Sequence, residues 1–160
     1  MLEAELQRYR HADPAFAIDL PAWFELADAG GALLVALAPP AASPFRANVT
    51  VAAQELPIGV ELDAYTSAGL ASAAERFPAW RLIDRAETAV GALPASRTLA
   101  TYRAAFEGGW VISVTLEQWV VVHDGLAWIV SCSCDSGDYA DACELWLECA
   151  ESLRPGEVAG

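Results

Sequence analysis

Residues Trp110–Cys134 read WVISVTLEQWVVVHDGLAWIVSCSC. Asp124-Gly125 divides this run. The pair is the one a two-residue type I′ hairpin prefers, because both central residues of that turn need positive φ. With such a turn His123 opposes Leu126, and Trp119 opposes Val130. Side chains alternate along each strand. One face then carries Trp110, Ile112, Val114, Leu116, Val120, Val122, Ala127 and Ile129. The other carries Trp119, Val121, Leu126, Trp128, Val130, Cys132 and Cys134. A sheet that is apolar on both faces must be covered on both faces. The hairpin therefore predicts three layers, with an antiparallel sheet between helices or long loops.

Downstream, the period changes. Asp135, Ser136 and Asp138 are able N-caps. Asp138, Asp141 and Glu144 place negative charge at the positive end of a helix, and Arg154 lies near the other end. Tyr139, Ala142, Trp146, Cys149 and Leu153 fall on one stripe that should dock on the sheet. Pro155-Gly156 reads as a stop.

Upstream, FAIDLPAWFELA gives two short strands hinged at Pro21, and Gly30-Gly31 permits a turn before ALLVALA. PPAASP is a loop, since proline does not fit inside a central strand. RANVTVAAQEL returns to strand. VELDAYTSAGLASAAERFP is helical by spacing, with Leu62, Tyr65, Ala73 and Phe77 on one face and Pro78 as its end. Gly69 either weakens that helix or lets it approach the sheet closely. WRLIDRAETAV and PASRTLATYRAAF are further strands, and Gly108-Gly109 is a turn. One domain spans residues 1–160, with 1–14 as an N-terminal arm and 156–160 as a flexible tail.

The formal net charge is −13, from 22 acidic and nine basic residues, all of the latter arginine. Nucleic-acid binding rests on basic groups that displace counterions, so that partner class is excluded. An anionic membrane surface is disfavoured for the same reason. No run approaches the ~20 apolar residues of a membrane span. The opening MLEAELQRYRHADPAF has no basic region followed by an apolar one, so it is not a signal peptide. The expected location is the cytoplasm, with reduced thiols. A chain rich in alanine and free of lysine fits a genome rich in G and C.

All four cysteines lie in Ile129–Cys149, spaced C-x-C-x8-C-x5-C. Zinc sites usually pair their thiols as C-x2-C. Cys143 and Cys149 stand ~240° apart around a helix, so they cannot aim at one ion. Cys132 and Cys134 are ~6.6 Å apart on an extended strand, at the limit for a disulfide. A bridge from the strand to Cys143 or Cys149 is easier, but the cytoplasm opposes it. A catalytic thiol needs a base, and His123 sits at the hairpin tip while His11 lies in the N-terminal arm. Glu117 opposes Cys132 unless a bulge at Glu117-Gln118 shifts the register. Packing as small buried hydrophobes is the reading these spacings favour. No phosphate-binding loop, dinucleotide fingerprint or nucleophile elbow is present. The sequon at Asn48 falls in a strand.

The order of elements resembles the PsbP-like fold group. That group includes the photosystem extrinsic subunit, a Ran-binding import protein, the LpqN-type envelope lipoproteins of actinobacteria, and chaperones for type VI secretion effectors. The matching stretches are FAIDLPAWFEL, FRANVTVAAQEL followed by LDAYTSAGL, VGALPASRTLATY, and the hairpin ending AWIVSCSC before SLRP. The resemblance implies an α+β fold, an α/β/α sandwich around an antiparallel sheet, with no catalytic residues, metal or cofactor. It departs from the lipoproteins in having no signal or lipid-attachment cysteine.

The expected function is a non-enzymatic, cytosolic adaptor or effector chaperone. It would bind a protein segment, basic or hydrophobic, on an aromatic-lined sheet face or groove. A homodimer is compatible with this reading. Six tryptophans motivate it, since tryptophan is favoured at interface centres. The contact candidates are Gln118, Trp119 and Arg103. Two alternatives stand beside it. One is a small-molecule binder or thiol enzyme using the cysteine-bearing face, which requires an accessible thiol. The other is an acidic immunity or inhibitor protein for a basic toxin.

Overall fold

A computed structural model of the chain describes residues 5–158. β1 (Leu6–Ala12) and β2 (Ala15–Pro21) form a hairpin, followed by a two-residue β3 (Glu25–Leu26), β4 (Leu34–Leu37) and β5 (Asn48–Glu55). Helix α1 (Leu62–Arg76) comes next, then β6 (Arg81–Val90), β7 (Leu93–Phe106), β8 (Trp110–His123) and β9 (Leu126–Asp135). A 3₁₀ turn at Ser136–Asp138 leads into α2 (Tyr139–Glu151), and β10 (Arg154–Pro155) is the last element.

The long hairpin forms as its turn dictates. Asp124 and Gly125 have φ of 52° and 74°, the paired left-handed conformations of a type I′ turn. His123 opposes Leu126, Trp119 opposes Val130 and Glu117 opposes Cys132, with no bulge. Around this hairpin a seven-stranded antiparallel sheet runs in the order β3-β4-β5-β9-β8-β7-β6. A second sheet, β1-β2-β10, is separate from it.

The two faces of the large sheet are covered differently. One face receives α2 and the small sheet. There Trp119, Trp128, Val130, Cys132 and Cys134 pack with Phe16, Ile18, Trp146 and Leu153 into a single buried core. On the other face α1 lies over β7 and β8. The α2 stripe is as its spacing predicts: Trp146, Cys149 and Leu153 are buried, and Tyr139 and Ala142 half-buried. Asp135 rather than Asp138 caps the entry, its carboxylate accepting from the Gly137 N–H at 3.0 Å. Arg154 caps the exit by donating to the carbonyls of Glu151 and Leu153.

Two expectations about the ends change. Within the supposed arm 1–14, Leu6–Ala12 is a strand paired along its whole length with β2. Residues 1–4 lie outside the described residues. The strand's alternation of charged and uncharged residues marks an edge strand with one wet face, and reading the segment as an arm overlooked that period. At the other end, Pro155 does not stop the chain. β10 adds to β2, and the Gly156 N–H donates to the Ala15 carbonyl at 2.7 Å. Glu157 then pairs with Arg10 at 2.7 Å. Residues 159–160 of the expected tail lie outside the described residues.

Candidate functional site

The face beneath α1 carries a cleft with a volume of about 820 Å³. Its floor follows from the register. Thr50 opposes Ser131, Ser131 opposes Gln118, Gln118 opposes Thr98, and Thr98 opposes Arg85. Five strands thus lay one polar row across the sheet. Gln118 Nε2 donates to Ser131 Oγ at 2.9 Å within it. Arg85, at the end of the row, reaches up to α1, to the Asp63 carboxylate at 2.7 Å and Ser67 Oγ at 2.9 Å.

The walls come from α1 and the segment after it. α1 contributes the small residues Thr66, Ala68, Gly69, Ser72 and Ala73, with Leu70 among them. Gly69 does not bring the helix close to the sheet: a Cβ built there would meet nothing within 4 Å. At one end Tyr65 donates to Gln54 Oε1. At the other end Phe77 lies against Tyr102 with ring centroids 4.5 Å apart, next to Trp80 at 5.9 Å. The Arg76 guanidinium sits 5.4 Å over the Phe77 ring. Burial raises the phenol pKa of both Tyr65 and Tyr102, so both stay neutral donors. Among the described residues, Arg76 is the one formally charged side chain lining the cleft.

Thr66 is 4% exposed, and its hydroxyl is buried with no hydrogen-bond partner among the described residues. A buried hydroxyl left unpaired costs ~1–3 kcal/mol. Such a group needs a water or another partner that the protein itself does not supply.

The contact residues expected from sequence separate here. Gln118 lies in the cleft floor. Trp119, its neighbour, points through the sheet and is 1% exposed in the core. It is therefore not a contact residue; a one-residue step in a strand reverses the face. Arg103 is exposed on the Trp119 side of the sheet, away from the cleft, and its backbone N–H donates to the Pro78 carbonyl at 2.9 Å. The six tryptophans divide as well. Trp119, Trp128 and Trp146 are core, Trp80 lines the cleft, and Trp23 and Trp110 are exposed.

The thiols close the cysteine question. Cys132, Cys134 and Cys149 are buried and free, and Cys143 is half-buried and free. Burial pushes the Cys132 thiol well above its ordinary range, and Cys134 and Cys149 up to about 12. A thiol so held is not a nucleophile at neutral pH. α2 covers Cys132 and Cys134, so the strand thiols of this face are closed off from solvent. No cluster of metal-ligating side chains occurs among the described residues.

One buried charge stands on the core face. Glu117 is 3% exposed and pairs with Arg97 through both Nε and Nη2. The Tyr139 hydroxyl donates to its other oxygen at 3.2 Å, and Arg97 also reaches Asp84 at 3.3 Å. Burial alone would lower the Arg97 pKa, but Glu117 outweighs it and the pKa is raised. Tyr139 is pushed up to about 12 by burial and then by the adjacent carboxylate. Every group in this cluster has a partner, as a structural clamp between sheet and α2 requires.

No family model matches the chain, and no curated protein matches it in sequence. Solved structures do match. A solution structure of cyanobacterial PsbP from Synechocystis sp. PCC 6803 is 16% identical, with a TM-score of 0.68 over 96% of this chain and 94% of that one. LpqN of Mycobacterium tuberculosis, described as involved in cell envelope biogenesis, is 11% identical, with a TM-score of 0.67 over 93% and 89%. The Saccharomyces cerevisiae Ran-binding protein Mog1p is 8% identical, with a TM-score of 0.63 over 97% of both chains. The chain therefore has the PsbP-like fold, an α+β sandwich. At these identities the likeness speaks for the fold and for nothing finer.

Proposed function

We propose that this protein is a non-enzymatic binding module of the cytoplasm, an adaptor or effector chaperone that holds a segment of a protein partner in the cleft beneath α1. The observation that carries the reading is the cleft itself. It runs along β5 from Asn48 to Gln54, six residue steps or about 20 Å of extended chain. Its lining combines hydroxyls, amides and aromatic rings with the aliphatic side chains of Leu70, Leu116, Val120 and Ile129. Such groups hold a ligand through hydrogen bonds and buried area, and they supply no acid–base pair for chemistry. The Ran-binding description of Mog1p, a protein of the same fold, supports a protein as the partner class.

A photo-crosslinking residue at position 72, facing the cleft, tests this in the host cell. The expected result is one dominant polypeptide adduct, lost when Gly69→Trp fills the cleft. The same crosslinker at Leu147, exposed on α2, should yield none. No adduct at position 72, or equal adducts at both positions, would overturn the reading.

The cleft volume of about 820 Å³ also falls within the range of small-molecule sites. A small-molecule binder is accordingly the second reading. Native mass spectrometry of the purified protein separates the two, since a resident small molecule would appear as a discrete mass increment.

A further inference from the structure

The chemistry of the cleft restricts what the segment can be, and this inference rests on the docking reading above. We propose that the cleft accepts an extended, uncharged run of about six residues. Its main-chain amides, or Ser, Thr, Asn and Gln side chains, lie over the polar row. One aromatic or aliphatic side chain enters the Phe77–Tyr102 corner.

Three observations carry this. First, the floor row Thr50–Ser131–Gln118–Thr98 offers donors and acceptors but no charge until Arg85, which α1 already holds. A charged side chain placed there would lose its hydration and find no counterion on the row; Arg76, the one charge lining the cleft, is exposed and sits over the Phe77 ring. An amide or hydroxyl would exchange water for protein at little cost. Second, the Thr66 hydroxyl is buried, unpartnered and at the cleft wall. It has one donor hydrogen and two acceptor lone pairs, which suits a peptide carbonyl or amide. Third, Phe77, Tyr102 and Trp80 form an aromatic cluster at one end, while Leu70, Leu116, Val120 and Ile129 add aliphatic lining elsewhere. The cluster gives the bound run an anchor for one apolar side chain. β5 is paired on both edges, by β4 and β9. The segment therefore lies on the sheet face and is read by side chains; it does not extend the ladder.

Selection from a random heptapeptide display library tests the class. The library is panned on the protein and counter-selected on the Gly69→Trp variant, so that only cleft-dependent binders survive. Position 69 tolerates the change, because its Cβ would lie in open space. A circular-dichroism melt confirms that the variant folds. The expected survivors carry no Asp, Glu, Lys or Arg over about six positions, and hold one aromatic or aliphatic residue among Ser, Thr, Asn and Gln. A synthetic survivor should bind Thr66→Val about three- to tenfold more weakly, the loss of one hydrogen bond, with the variant's melting temperature unchanged or raised. Cleft-dependent binders that are charged or wholly aliphatic would overturn the proposed chemistry and leave the docking reading standing. Unchanged affinity for Thr66→Val would do the same. A library with no cleft-dependent binder would overturn both.

Discussion

Replacing Arg97 by methionine should be among the most damaging single changes on the core face, and replacing its partner as well should undo most of the damage. Arg97 contacts Glu117 by two nitrogens, and Glu117 is 3% exposed. Unit charges ~4 Å apart at an effective permittivity of ~20 attract by ~4 kcal/mol. Burying them costs a similar amount, so the pair itself is close to neutral for stability. Removing one partner leaves the cost without the attraction. Arg97→Met strands the carboxylate with only the Tyr139 hydroxyl as donor, and should lower stability by about 3–5 kcal/mol. Glu117→Leu strands a guanidinium whose side chain is 25% exposed and still paired with Asp84, so about 1–2 kcal/mol is expected. In the double variant neither charge is buried. The Tyr139 hydroxyl, on a half-buried residue, can turn to water. Its stability should fall within ~1 kcal/mol of the parent. Urea denaturation followed by tryptophan fluorescence gives all four values, and unchanged slopes would license the comparison. Arg97→Met costing under ~1 kcal/mol, or a double variant as unstable as the sum of the singles, would refute the clamp.

Gly69→Ala should stabilise the protein by about 0.5–1 kcal/mol, raising the melting temperature by ~1–4 °C, because the position is helical and open; a lower melting temperature would mean that the helix needs glycine there. A thiol reagent should titrate Cys143 in the native protein, and Cys132, Cys134 and Cys149 only in denaturant, in line with their burial; a second fast equivalent would show that α2 opens. Stability should fall in alkali. The thiols of Cys134 and Cys149 are raised from 9.0 to about 12 and the Tyr139 phenol from 10.0 to about 12. Their stabilisation is complete below the lower values and lost as pH rises through 9–12, at up to ~1.4 kcal/mol per pH unit for each group. Urea midpoints that stay flat from pH 8 to 11 would contradict this.

The hairpin shows what a sequence can yield here and what it withholds. Asp124-Gly125 fixes the β8–β9 register locally, so the pairs Trp119–Val130 and Glu117–Cys132 follow from sequence and are found. The stripe on α2 is equally local, a matter of 3.6 residues per turn. The cleft is not local. Its floor joins Thr50, Thr98, Gln118 and Ser131 from four strands, and their adjacency depends on the order β5-β9-β8-β7. No window of sequence contains that order. Each hydroxyl alone is an ordinary strand residue. Gln118 entered the contact candidates beside Trp119, yet the two point to opposite faces. The signal that was available is the polar step in an apolar strand: Gln118 and Ser131 oppose each other on the face that otherwise carries Leu116, Val120 and Ile129. The thiols misled in the other direction, because four cysteines close together in sequence suggest chemistry, whereas their burial is decided by α2 and by strands far along the chain.

The asymmetry of the two helices explains why the cleft lies where it does. α2 meets the sheet with Trp146, Cys149 and Leu153, each at most 1% exposed, and fills the space between. α1 has a similar length but lines the cleft mostly with small residues, Thr66, Ala68, Gly69, Ser72 and Ala73, around the single larger Leu70, and these do not fill the space over the sheet. It is held at its ends instead. Arg85 ties Asp63 and Ser67 near its start, and Tyr65 ties to Gln54. Phe77 packs on Tyr102 past its last turn, where the Pro78 carbonyl accepts from the Arg103 N–H. A helix fastened at both ends with a small-residue middle spans a gap without collapsing into it. Large side chains on one helix thus give the chain its core, and small ones on the other preserve an open face on the same sheet. The packed core and the open cleft in this way lie on opposite sides of β8, one residue apart at Trp119 and Gln118.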